Sequence, residues 1–259
     1  MNWSFTILTA AALTGLAAAQ PMTCNEHSWS HNRLATHCEI QEQTLPASGG
    51  TIDIQPGENG GITVHGWDRL DILVRARIRT AAPTDAEARS LTPQIRFASG
   101  ASNLHAQGPA TDHDHHWSLD YEIFAPHNSD LTMTAQNGGI QVANIHGKLQ
   151  FHTVNGGVRL EQVSGDVLGQ TTNGGVHISM AGDRWDGKGM DVKTTNGGIT
   201  LQASPQFSAH VEVSTENGGV SRDGAALHTT AFDLGAGGPS IHLATTNGGI
   251  KISTGSKIM

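Results

Sequence analysis

The chain writes Asn-Gly-Gly followed by Ile or Val seven times, with the asparagines at Asn59, Asn137, Asn155, Asn173, Asn196, Asn217 and Asn247. The last six lie 18, 18, 23, 21 and 30 residues apart. A motif that returns at about 20-residue intervals marks one supersecondary unit repeated along the chain, so it constrains the fold before any local feature does. Alternating apolar residues flank the corners: Leu149, Phe151 and Thr153 precede Asn155, and Val158 and Leu160 follow it. The same offsets hold Met190, Val192 and Thr194, then Val211, Val213 and Thr215, then Ile241, Leu243 and Thr245. Period-2 alternation on both sides predicts two short, half-buried strands per repeat. Glycine tolerates positive φ without steric cost and asparagine is next in tolerance, so each Asn-Gly-Gly reads as a sharp turn.

Two architectures meet this pattern. Asn-Gly between alternating hydrophobics is the strongest short-range hairpin signal, which allows an antiparallel meander. In a β-solenoid, each repeat is instead one coil, and equal positions stack about 4.8 Å apart. A hairpin needs Asn-Gly at one place only, whereas stacking explains identical residues at identical offsets in every repeat. The expectation is therefore a mainly β chain, a β-solenoid of about six to seven coils with an N-terminal mixed strand and helix cap. The asparagine amides would form one ladder, the preceding threonines a second, and Ile, Val and Leu columns the interior.

Thr-Thr-Asn-Gly-Gly-Val at 171–176, Thr-Thr-Asn-Gly-Gly-Ile at 194–199 and 245–250, and the stretch Gly61–Val74 carry a resemblance. They resemble the putative-adhesin family of bacterial envelope or secreted proteins, a β-repeat domain of unknown function. The resemblance covers about residues 50–259 and implies a β-helical solenoid. It brings no catalytic residue and no cofactor.

Residues 1–19 read as an export signal: Phe5–Ala19 is apolar or small, and Ala17-Ala18-Ala19 offers a cleavage site before Gln20. A retained anchor and lipidation at Cys24 are the alternatives. Residues 20–50 form an N-terminal segment whose Cys24 and Cys38, the only cysteines, pair as a disulfide in an oxidising compartment. A zinc site built from them with His27 and His31 is the rival reading. Residues 51–130 make the capping region. It holds strands at Thr51–Ile54, Ile72–Ile78 and Trp117–Ile123, and a helix near 83–91 capped by Thr84 or Asp85 and ended by Pro93. Arg75, Arg77 and Arg79 face away from the apolar side of the second strand and read as a solvated face. Residues 131–259 carry the repeats. Lys251 and Lys257 are expected to blunt the open edge of the last coil.

Few residues invite chemistry. His113, His115 and His116 in Asp112-His-Asp-His-His are weak metal candidates, since alternate residues of an extended segment point apart. Trp185 with Asp183 and Asp186, in the insertion of the 23-residue step, offers a ligand contact of the kind that grips a sugar, or a Trp folded onto the coil. Asp166, Asp191 and Glu212 complete the carboxylates a glycosidase would need, but no spacing brings a pair together. The formal charge of −8 with no basic run argues against nucleic acid. The expected partners are a surface glycan or an envelope protein, with no membrane span once the signal is removed. The leading expectation is an exported, non-enzymatic structural or adhesive module. A carbohydrate-active enzyme and an envelope-stress sensor are the alternatives.

Overall fold

The computed structural model describes residues 22–24, 34–97, 100, 102–180 and 182–255. The expected export signal, His27, His31 and Lys257 lie outside them. The chain enters β1 (Ala35–Pro46), then β2 (Ile52–Gln55), turns at Asn59 and continues as β3 (Ile62–Trp67). It next makes an excursion through β4 (Asp71–Ala82), α1 (Asp85–Leu91), a 3-10 turn, β5 (Asn103–His105) and β6 (His116–Pro126). Regular winding resumes with β7 (Leu131–Asn137), β8 (Ile140–Ala143), β9 (His146–Asn155) and β10 (Val158–Asn173). It goes on through β11 (Val176–Met180), β12 (Gly189–Asn196) and β13 (Ile199–Gln202). The last part contains β14 (Ala209–Asn217), β15 (Val220–Arg222), β16 (Ala225–Ala226), β17 (Ala231–Leu234), β18 (Ser240–Asn247) and β19 (Ile250–Ser253).

Strands before each corner form one parallel stack and strands after it form another, which is a solenoid and not a meander. Leu131 aligns with Leu149, Val167 with Met190, and Met190 with Ile241 across the first stack. Ile62, Ile140, Val158, Val176, Ile199 and Ile250 form a column across the second. These residues are buried, and burying one such side chain contributes about 1.5–3 kcal/mol. In the neighbouring column Phe151 aligns with Gly169, and a Cβ on Gly169 would lie 2.1 Å from the Phe151 ring. One coil's large side chain thus occupies the space the next coil leaves empty.

The spatial order differs from the chain order. β18 pairs with β12 on one side and β14 on the other, and β19 pairs likewise with β13 and β15. The last coil is therefore inserted between the two written before it. The expectation that it forms an open edge blunted by Lys251 is wrong for that reason. The outermost coil is β14–β15, and the insertion after Arg222 covers it: β16 pairs antiparallel with β15, and β17 with β14. That insertion carries the chain outward and back, and β18–β19 then fills the remaining gap.

At the other end β6 lies parallel beside β3, followed by antiparallel β4 and β1. Thr84 caps α1 in a reciprocal capping box with Glu87, and Ala88 and Leu91 bury against Ala82. The α-helix stops at Leu91, just ahead of Pro93, which sits inside the 3-10 turn Thr92–Gln94.

Candidate functional site

The corners form one continuous edge. In the spatial order 59–137–155–173–196–247–217, each asparagine side-chain nitrogen after the first donates to the amide oxygen of the corner before it. The distances are 3.2, 2.8, 2.8, 2.8, 2.9 and 2.9 Å. All six bonds point the same way, so Asn59 presents the donor end and Asn217 the acceptor end. The threonines do not bond to one another. Thr153, Thr171, Thr194, Thr245 and Thr215 each donate a hydroxyl to a corner glycine carbonyl one coil away, at 2.8–2.9 Å. A β-branched residue that can also donate fits a buried position beside a carbonyl with a spare lone pair.

The glycines serve close approach and not turn strain. None of the corner glycines or asparagines has positive φ. A Cβ on Gly60, Gly138, Gly156, Gly174, Gly197, Gly248 or Gly218 would lie 1.8–2.2 Å from a backbone oxygen of the neighbouring coil. The turn-tolerance expectation is corrected accordingly: hydrogen-bonded coils meet here backbone to backbone, and no side chain fits between them.

The sequence-derived candidates lie elsewhere and do not converge. Trp185 is 4% exposed and its indole N–H donates to the Gly165 carbonyl at 3.0 Å, so it presents no face to a sugar. The neighbouring Asp186 and Asp183 carbonyls accept from Gly165 and Ser208, which ties the loop down over the coil. Asp166 accepts from the Lys188 amide and pairs with its ammonium, and that backbone bond holds its carboxyl below the usual range. Asp191 pairs with Lys193 and His242, and Glu212 with His210. In the histidine-rich loop, Asp112 accepts from the Asp114 and His115 amides, which pulls its carboxyl down, and His115 Nδ1 lies 3.0 Å from it. His116 bonds to the His113 carbonyl. Among the described residues, no three His, Cys, Asp or Glu side chains are grouped to hold a metal ion. Cys24 and Cys38 are joined in a disulfide, which leaves no thiolate for a zinc site.

One cleft on the corner edge escaped the motif reading. It measures about 530 Å³ and lies at the donor end of the amide ladder, bordered by Asn59, Arg79, Ser118, Asp120 and Asn137. Asp120 is shared: one oxygen accepts from Arg77 and Arg79, and the other from the Gly61 amide at 2.9 Å. Arg75 pairs separately with Glu42 and Glu122. The arginine row is thus ion-paired along most of its length, and only its Arg79 end borders the cleft. No helix among the described residues is long and apolar enough to cross a membrane.

The Toastrack DUF4097 profile matches residues 87–253, more than half of the chain. The chain belongs to the Toastrack DUF4097 family. No curated protein sequence matches this Toastrack chain. Among solved structures it is similar to a Clostridium sporogenes protein called a putative cell adhesion protein, at 8% identity and a TM-score of 0.45, covering 84% of this chain and 100% of that one. It is also similar to a Bacteroides fragilis putative adhesin, at 12% identity and a TM-score of 0.33, covering 83% and 97%. A Parabacteroides distasonis putative lipid binding protein matches at 10% identity and a TM-score of 0.34, covering 83% and 96%. Scores this low leave function to the Toastrack chain's own surface.

Proposed function

We propose that this Toastrack chain is an exported, non-enzymatic surface module with a structural or adhesive role. The observation that carries the reading is the unbroken corner edge, a row of amides and backbone spaced at one coil per step. Such a surface can meet an extended polymer repeatedly along its length, and many weak contacts add up without a deep pocket. The carboxylates raised as catalytic candidates support it indirectly, because Asp166, Asp191 and Glu212 each have a basic partner beside them. Export rests on the Phe5–Ala19 segment.

The test is to incubate the purified protein with a panel of cell-surface polysaccharides, and to measure both retention and new reducing or unsaturated ends. Retention without new ends is expected. Release of product that scales with protein would make it an enzyme and end this reading. Sequencing the chain from an envelope fraction is expected to give Gln20 as the first residue.

A further inference from the structure

β6 occupies the place of a further coil beyond the Asn59 corner but carries no Asn-Gly-Gly. Its register with β3 is fixed by Ile62 opposite Tyr121, and by the Leu119 and Tyr121 amides donating to the Asn59 and Gly61 carbonyls at 3.0 and 2.9 Å. Three residues back from Tyr121, Ser118 stands level with Asn59. Leu119 supplies the carbonyl that lies 1.8 Å from where a Cβ on Gly60 would be, as a corner glycine does elsewhere. Ser118-Leu119-Asp120 therefore holds the ladder position of an Asn-Gly-Gly corner, with a hydroxymethyl group where the next amide belongs. The serine is too short to continue the row. Its hydroxyl is buried without a partner among the described residues, and the residue is 7% exposed. The Asn59 side-chain nitrogen, which in every other rung donates outward, has no partner among the described residues. A buried hydroxyl left unpaired is costly, so an acceptor placed here gains what the fold forgoes.

The charge at this rung is also incomplete. Among the described residues, Arg77 and Arg79 share the single carboxylate of Asp120, which leaves one positive charge beside the gap. The Arg79 side chain is 15% exposed, and burial, followed by the Arg77 charge, pulls its guanidinium below the ordinary range. A second carboxylate would relieve both.

We propose that this cleft is a binding site for the carboxylate of an acidic sugar residue, held by the Asn59 amide, the Ser118 hydroxyl and the Arg79 guanidinium. The carboxylate oxygen takes the place of the missing amide oxygen and completes the ladder. Gly139 borders both this cleft and a second one running past Gly157 and Gly175, so the remainder of a glycan has a polar path along the corner edge. The choice of a sugar as the carrier rests on the adhesive reading above; the carboxylate chemistry does not.

The experiment titrates the full-length protein with sodium galacturonate, galactose and acetate, and separately with polygalacturonate. It compares wild type with Ser118→Asn and Arg79→Gln, and melting temperature checks folding. Galacturonate is expected to bind saturably, with galactose and acetate at least tenfold weaker. Ser118→Asn, which supplies the missing amide, is expected to melt no lower than wild type and to lose at least tenfold in affinity. Arg79→Gln is expected to lose a similar factor. No galacturonate binding, or equal binding to folded Ser118→Asn, overturns the site. Galactose binding as well as galacturonate overturns the carboxylate assignment, and acetate binding as well overturns the sugar. Polygalacturonate held equally by wild type and Ser118→Asn removes this site while leaving the adhesive module in place.

Discussion

Asn173 both donates to Asn155 and accepts from Asn196, whereas Asn217 at the end of the row makes a single such bond. Both side chains are exposed, so each bond is worth little alone. Asn173→Ala is expected to lower stability by about 1–2 kcal/mol and Asn217→Ala by about half as much, measured by urea denaturation. Equal losses would mean that the amide–amide bonds themselves contribute nothing to stability. A sharper contrast lies in the glycines. A Cβ on Gly156 would lie 2.0 Å from the Gly138 carbonyl oxygen, while one on Gly219 meets nothing within 4 Å. Gly156→Ala is expected to cost about 3 kcal/mol or more by forcing two coils apart, and Gly219→Ala to stay within about 0.5 kcal/mol of wild type. The same urea denaturation checks both. The sequence showed these glycines plainly but not their reason, because turn tolerance and backbone contact call for the same residue.

The strands and the helix cap were legible because their causes are local. Thr84 and Glu87 sit three apart before an apolar face, and period-2 alternation marks Ile72–Ile78 and Trp117–Ile123. The pairing of β19 was not, since the corners at Asn196 and Asn247 carry the same six residues and either could stack on the other. One signal was present. Where other coils place a second apolar residue after the corner, β15 places Arg222, opposite Ile252, with its guanidinium 5.3 Å from the centre of the Phe232 ring. A charged residue in an interior column belongs to a terminal coil. Ser118 gave no such sign, because its level with Asn59 depends on the register of a strand about 60 residues away.

The turn after β15 also fastens the chain beyond β19. Asp223 accepts from the Thr254 amide and hydroxyl, both at 2.7 Å, and these bonds, the backbone one first, hold its carboxyl below the ordinary range. A depressed folded-state value contributes stability that is present above about pH 4 and is lost as pH falls through the folded value. Local opening of residues 250–255, followed by hydrogen exchange, is expected to rise below about pH 4 in wild type. In Asp223→Asn it should be raised at every pH, with that acid step gone. An unchanged acid step in Asp223→Asn would assign it to another carboxylate.

At the scale of the whole molecule, both ends of the solenoid are closed by chain that travels outward and returns: β4 to β6 at one end, β16 and β17 at the other. The consequence differs at the two ends. Beyond β3 the excursion adds strands to a finished coil, but beyond β15 the returning chain must enter a gap between coils already written. Among the described residues, β14 and β15 have no strand partner on their inner side except β18 and β19. Deleting residues 240–259 is therefore expected to release residues 209–234 to limited proteolysis while the 35–180 portion stays resistant. Even digestion across the chain would show that the stack folds as one indivisible unit.

The stacking order itself is open to a direct chemical test. Lys193 aligns with Ala244, and Ala244 with Ser214, on the outer face of the pre-corner stack. Neighbouring strands lie about 4.8 Å apart, so the 193 and 214 positions are separated by about twice that. Paired substitutions Lys193→Cys with Ala244→Cys, and Lys193→Cys with Ser214→Cys, would be oxidised under mild conditions and mapped by mass spectrometry. Inserted winding predicts a crosslink in the first pair and none in the second; a crosslink in the second pair alone would show that the coils stack in chain order and contradict it.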